Sequence, residues 1–221
     1  QAAVVTAACR HIERAESMPT LAELARGAGL SAFHFHRVFK SVTGLTPRAY
    51  AAAHRDRRLR ERLVNRGGAT DLTVTDAIYD AGFNSSGRAY AAADAALGMT
   101  PAAYRAGGTA ARIRFAVGEC SLGSILVAQS DRGLCAILLG DDPDALLRNL
   151  QDRFPKATLL AGDGVFEQVV ATVVGAVEAP GRPAGRPMVV ERPVAEGVEH
   201  GRVHVRLPAD RSGVAQLLRG D

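Results

Sequence analysis

Side chains able to read a nucleic-acid duplex gather on one short segment. Residues 31–42 carry Ala32, Phe33, His36, Arg37 and Lys40 on one helical face and Phe35, Val38 and Phe39 on the other. An arginine can pair with a guanine edge through two N–H donors, an imidazole can donate to a base acceptor, and an aromatic ring can rest on a thymine methyl. Arg37, His36 and Phe33 are thus candidates for base contact, with Lys40 beside them and Ser31 at the helix start. A second set, Asn84, Ser85, Ser86, Arg88 and Tyr90, is followed by Ala91-Ala92-Ala93. Hydroxyls at a helix N-terminus suit phosphate oxygens, so this set is expected to hold backbone more than read bases. The plainer alternative makes His34 and His36 solvated surface residues and puts Phe33 in a core. Residue types alone leave the two readings level.

Catalysis finds little support. Cys9, Cys120 and Cys135 are irregularly spaced and form neither a disulfide framework nor a metal cluster. Cys135 lies in the apolar run 134–139 and reads as a small buried hydrophobe. Cys120, beside Gly118-Glu119, has no nearby histidine to lower its pKa. His34 and His36 lack a Glu-x-x-His or cysteine partner. No catalytic residue, metal or cofactor is expected.

The elements that must position these residues are duplicated. Residues 21–50 contain Leu21-Ala22-Glu23-Leu24-Ala25, Gly29-Leu30-Ser31 and Gly44-Leu45-Thr46-Pro47-Arg48-Ala49-Tyr50, and 74–104 repeat them. The second copy reads Val74-Thr75-Asp76-Ala77-Ile78, Gly82-Phe83-Asn84 and Gly98-Met99-Thr100-Pro101-Ala102-Ala103-Tyr104. Gly29 and Gly82 stand 53 residues apart and Tyr50 and Tyr104 stand 54 apart, so the second copy gains one residue. Paired helices around a glycine turn have the form of helix-turn-helix units.

The spacing predicts helices over 4–16, from Thr20 to Arg26 with a Thr20/Glu23 capping box, over 31–42, and from Pro47 to about Arg66. Three more follow near 73–81, 85–97 and 101–105, making seven in all. The arginines at 48, 55, 57, 58, 60, 62 and 66 predict a solvated linker helix, some of them touching phosphates. Ala89 and Ala93 stand where the first copy has Phe35 and Phe39, which predicts looser packing of the second unit.

Beyond Gly107-Gly108 the period changes. Residues 113–117 alternate as a half-buried strand, and runs at 122–128 and 134–139 read as a hairpin with a loop of about five residues, 129–133. A helix over 143–154, a short edge strand at 156–160 and an amphipathic helix over 163–178 complete an α+β module. From residue 180 prolines 180, 183, 187 and 193 intervene, and only 198–207 suggest a strand. The chain is thus expected to be multidomain: an all-α double helix-turn-helix domain (1–107), a small α+β module (110–179) and an atypical, disordered tail (180–221). Residues 1–110 carry 14 Lys and Arg against 9 Asp and Glu, whereas 111–180 carry 6 against 9. Nucleic acid is therefore expected to meet the first half. No apolar run is long enough to span a bilayer, and the cysteine usage fits a reducing cytoplasm.

The pattern Ala28-Gly29-Leu30-Ser31, Phe35-His36-Arg37-Val38-Phe39-Lys40, Gly44-Leu45-Thr46-Pro47, repeated, resembles the AraC/XylS family of transcription regulators. More narrowly, residues 75–86, Ile113-Arg114-Phe115 through Cys120-Ser121-Leu122-Gly123, and 135–141 resemble the Ada-type adaptive-response regulators. That resemblance implies a sequence-specific regulator of alkylation-repair genes, binding double-stranded promoter DNA as a monomer, with RNA polymerase as a further partner. It implies that 110–179 form the ribonuclease-H-like module of a methylguanine-DNA methyltransferase. The family's four-cysteine zinc module would precede residue 1, and its Pro-Cys-His-Arg acceptor motif does not occur in this sequence. The chain is accordingly expected to be inactive as a methyltransferase, and its tail to stem from a frameshift or truncation. The alternatives are a methylated-DNA–protein-cysteine S-methyltransferase and a remnant that binds DNA only non-specifically.

Overall fold

Helix caps and apolar spacing place the elements close to where the sequence puts them. The computed structural model describes residues 1–15, 17–64, 73–83, 86–178, 187–190 and 203–206. Seven helices lie in the first half among the described residues: α1 (Ala2–Arg14), α2 (Leu21–Gly27), α3 (Ala32–Thr43), α4 (Pro47–Val64), α5 (Val74–Asp80), α6 (Ser86–Leu97) and α7 (Pro101–Arg105). The expected last turn of α4, through Arg66, lies outside the described residues.

The first unit has its own core. Val5, Ala8 and Ile12 of α1 pack with Leu24, Phe35, Phe39, Leu45 and Tyr50. Phe39 meets Phe35 at 5.6 Å and Tyr50 edge-on at 5.8 Å between ring centroids. Tyr50 Oη also donates to Glu13 Oε1 at 2.6 Å, tying α1 to the start of α4.

The second unit is built differently. Ala89 and Ala93 are buried, and they join Leu59, Ile78, Phe83, Leu97 and Tyr104 in a core that continues into the following module through Ile113, Leu126, Leu138 and Phe154. The expectation of looser packing fails for a physical reason. Small side chains on α6 leave room, and the sheet and its helix fill that room.

That module is a four-stranded sheet in the order β3-β2-β1-β4, from β1 (Arg112–Cys120), β2 (Gly123–Ser130), β3 (Gly133–Gly140) and β4 (Thr158–Ala161). The first three strands are antiparallel, and β4 lies parallel to β1 at the sheet edge. Helix α8 (Pro143–Arg153) covers one face with Leu146 and Leu150, and α9 (Gly164–Glu178) covers the other with Phe166, Val169, Val170, Val173 and Val177. The register shift after Ala128 leaves Cys135 as an extra residue on β3, turned into the α8 side of the core. The β2–β3 turn is shorter than expected, two residues (Asp131 and Arg132) instead of five. Gln129 and Ser130, which look like loop residues by type, continue the ladder and are buried, because Ser130 has a tertiary hydrogen-bond acceptor in Gly98.

In the tail, β5 (Pro187–Val190) pairs antiparallel with β6 (Val203–Arg206). The rest of the segment expected to be disordered lies outside the described residues.

Candidate nucleic-acid interface

Both helix-turn-helix units start with the same device. Thr20 Oγ1 accepts from the Glu23 N–H while the Glu23 carboxylate accepts from the Thr20 N–H, and Thr73 and Asp76 do the same before α5. The Thr20 N–H and hydroxyl hold the Glu23 carboxyl below its usual pKa, and the Thr73 hydroxyl and N–H do so for Asp76. The turns that follow need positive φ at Gly29 (66°) and Gly82 (94°), a conformation open to glycine at little cost. Ser31 then caps α3 by accepting from the His34 N–H, and Gly44 ends it in the left-handed conformation.

These constraints fix the faces of α3. Phe35, Val38 and Phe39 are buried, whereas Phe33 is 73% exposed and Ser31 and Arg37 are exposed beside it. Phe33 is therefore not a core residue. The Arg37 guanidinium lies over the Phe33 ring at 5.9 Å from its centroid, so the two expected base readers are already in contact. His36 and Lys40 are half-buried on the flank.

His36 opens onto a cleft of about 720 Å³ between the start of α2, α3 and the first turns of α4. Thr46, Arg48 and Arg55 line it together with apolar Met18 and Leu21. Residue spacing does not reveal this cleft, because it brings residues from three separated segments together. Only the arginine density of α4 pointed that way.

Helix α4 is not the solvated linker that its arginines suggest. Arg60 is 5% exposed and donates to the Ala96 carbonyl at 2.5 Å, and Arg55, Arg57 and Arg58 are half-buried. Arg57 pairs with Glu61 at 3.4 Å, and Arg62 approaches Asp80 at 3.9 Å. An arginine-rich helix can be a core element when its long stems pack and its heads find carbonyls or rings.

On the second unit, Tyr90 is exposed and its hydroxyl shares a hydrogen bond with Thr75 Oγ1 at 2.8 Å, linking α6 to α5. Ser86 and Arg88 lie on the first turn of α6, while Asn84 and Ser85 fall outside the described residues. Among the described residues no cluster of His, Cys, Asp and Glu could hold a metal ion.

Comparison with known proteins follows the same order along the chain. Residues 24–107 match the helix-turn-helix domain family, and residues 113–175 match the ribonuclease-like domain of 6-O-methylguanine DNA methyltransferase. The bifunctional transcriptional activator/DNA repair enzyme Ada of Escherichia coli (strain K12) is 44% identical over 184 residues, 83% of this chain and 50% of that protein. Over this span the chain resembles Ada through two unrelated domains in the same order. The regulatory protein ada of Salmonella typhimurium is 45% identical over 173 residues, 78% of this chain and 47% of that protein. The chain thus spans about half the length of the curated relatives it matches. A crystal structure of the DNA-binding domain of AdpA, a global transcriptional factor in complex with a target DNA, is 30% identical with a TM-score of 0.39, covering 48% of this chain and 88% of that one.

Proposed function

We propose that the chain is a DNA-binding transcription regulator of the Ada type, reading duplex operator DNA chiefly with α3, while its second unit reads fewer bases and contributes more of the backbone contact. The observation that carries this is the exposed Phe33–Arg37 pair on a helix whose opposite face is fully buried. A thymine methyl beside a guanine would meet the exposed Phe33 ring and the Arg37 guanidinium together. His36 and Lys40 extend that face. The cleft with Arg48 and Arg55 suits the phosphodiester backbone flanking the groove. Ser31, Asn84, Ser85, Ser86, Arg88 and Tyr90 complete the contact set, chiefly toward phosphates.

Two reading units on one chain allow binding as a monomer to sites one duplex turn apart, roughly 10 base pairs. RNA polymerase is the further partner of an activator of this type, and the cytoplasm is where the reading places it. No helix among the described residues is long and apolar enough to cross a membrane. Selection of bound duplexes from a random pool tests the reading. Two short conserved blocks one turn apart are expected, and a pool without enrichment overturns it.

The match over 113–175 favours one other reading, transfer of a methyl group from O6-methylguanine to a cysteine. Against it, Cys135 is fully buried and burial pushes its thiol up to about 12, with Arg153 and Arg60 only partly offsetting. Radiolabelled methylguanine DNA separates the two readings, since label on the protein would make the chain an acceptor.

A further inference from the structure

The last turn of α6 ends against the α+β module. Gly98 follows α6 at φ 66°, and a Cβ there would run into the carbonyls of Gly133 and Leu134, so backbone packs on backbone. Ser130 Oγ, from the end of β2, donates to the Gly98 carbonyl, and Arg132 in the β2–β3 turn reaches Asp94 of α6 at 2.6 Å. From the other side Arg60 donates to the Ala96 carbonyl. The final carbonyls of a helix have no partners within it. Here Arg60 of α4 supplies one for Ala96, and Ser130 of the module serves the Gly98 carbonyl just past the helix end. Beneath this joint, Ala89, Ala93 and Leu97 share one core with Leu126, Ala136 and Leu138, and Tyr104 meets Phe154 edge-on at 5.3 Å. Among the described residues nothing comparable borders α3, whose core is confined to the first unit.

We infer that the α+β module is a brace that sets the direction of α6 on DNA, with Ser130 and Arg132 as positioning residues. The inference rests on the proposed reading of the chain as a DNA-binding regulator. The chain's two units then differ in kind: the first reads as a free-standing unit, whereas the second reads only as part of a rigid block with the sheet. Bulky residues on α6 would make a self-sufficient core but would hold the sheet off, so its alanines are what let the block form.

The test uses the full chain and its selected operator, beside an operator whose second half is scrambled. The double variant Ser130→Ala/Arg132→Asp sets one new carboxylate against that of Asp94 and removes the Ser130 hydrogen bond. It is expected to bind the intact operator about fivefold more weakly and the scrambled one unchanged, a surface pair plus a hydrogen bond being of that order. Amide exchange in the last turn of α6 rises while α3 stays protected. Adding Asp94→Arg to Arg132→Asp restores both, and Arg132→Lys behaves as wild type. Unchanged affinity, or equal loss on both operators, overturns the positioning role whatever the exchange shows. Wild-type protein that does not distinguish the two operators overturns the DNA-reading assignment of the second unit, and the brace with it.

Discussion

Arg55 on α4 lays its guanidinium over the ring of Phe83, 4.5 Å from the centroid. Phe83 is 4% exposed and directly follows the glycine at the turn of the second unit. The long helix is therefore held to the turn by a half-buried cation–π contact, while the same arginine lines the cleft of the first unit. One side chain touches both halves of the duplicated fold.

Removing that contact should loosen the second turn. Arg55→Ala is expected to lower stability by about 1–2 kcal/mol, measured by urea unfolding. In a double-mutant cycle with Phe83→Leu the two losses should fall short of additive by roughly 1 kcal/mol. Strict additivity would mean that the stacked geometry contributes nothing.

Arg37→Ala separates reading from gripping. The guanidinium is exposed on α3 and pre-stacked on Phe33, so its loss should weaken operator binding by about 1–3 kcal/mol and leave binding to random duplex nearly unchanged. Fluorescence anisotropy on both duplexes decides it. Equal losses would place Arg37 on a phosphate.

The helical half was legible because its signals are local. Thr20 with Glu23, Ser31 before α3 and Gly44 after it each act within four residues, and the structure realises all of them. The faces of α3 followed from the spacing of Phe35, Val38 and Phe39. Three features were hidden because their causes lie far away in sequence. Arg60 reads as a solvated charge until Ala96 is brought to it, Ser130 reads as a loop residue until Gly98 is, and Ala93 reads as weak packing until the sheet arrives. The cleft at His36 needs three segments at once, which no periodicity reports.

Acid should act through the caps. Glu23 and Asp76 are held below their usual pKa by bonds from Thr20 and Thr73, so each carboxylate stabilises its helix start above the unfolded-state pKa. That contribution is lost as pH falls through the lowered folded value. Glu23→Gln should therefore be less stable than wild type near neutrality, and the gap should close below about pH 4. A gap that persists unchanged into acid would show that the cap does not depend on the charge.

The thiols offer a test that also bears on methyl transfer. Cys120 is half-buried at the end of β1, its S–H donating to the Gly123 carbonyl at 3.2 Å. Cys135 is enclosed, with its thiol pushed up to about 12 by burial. Only thiolate attacks an electrophile, and at pH 8 a thiol of that pKa is ionised in about one molecule in ten thousand. A disulfide reagent should therefore modify Cys120 in the native protein and reach Cys135 only at the rate of unfolding. The sign for stability follows, since the unfolded thiol ionises near its ordinary value while the folded one does not. The contribution of neutral Cys135 is full below that ordinary value and declines as pH rises toward 12. Mass mapping of labelled peptides at several urea concentrations checks both points. Rapid labelling of Cys135 without denaturant would show that the joint between α6 and the sheet opens in the native state.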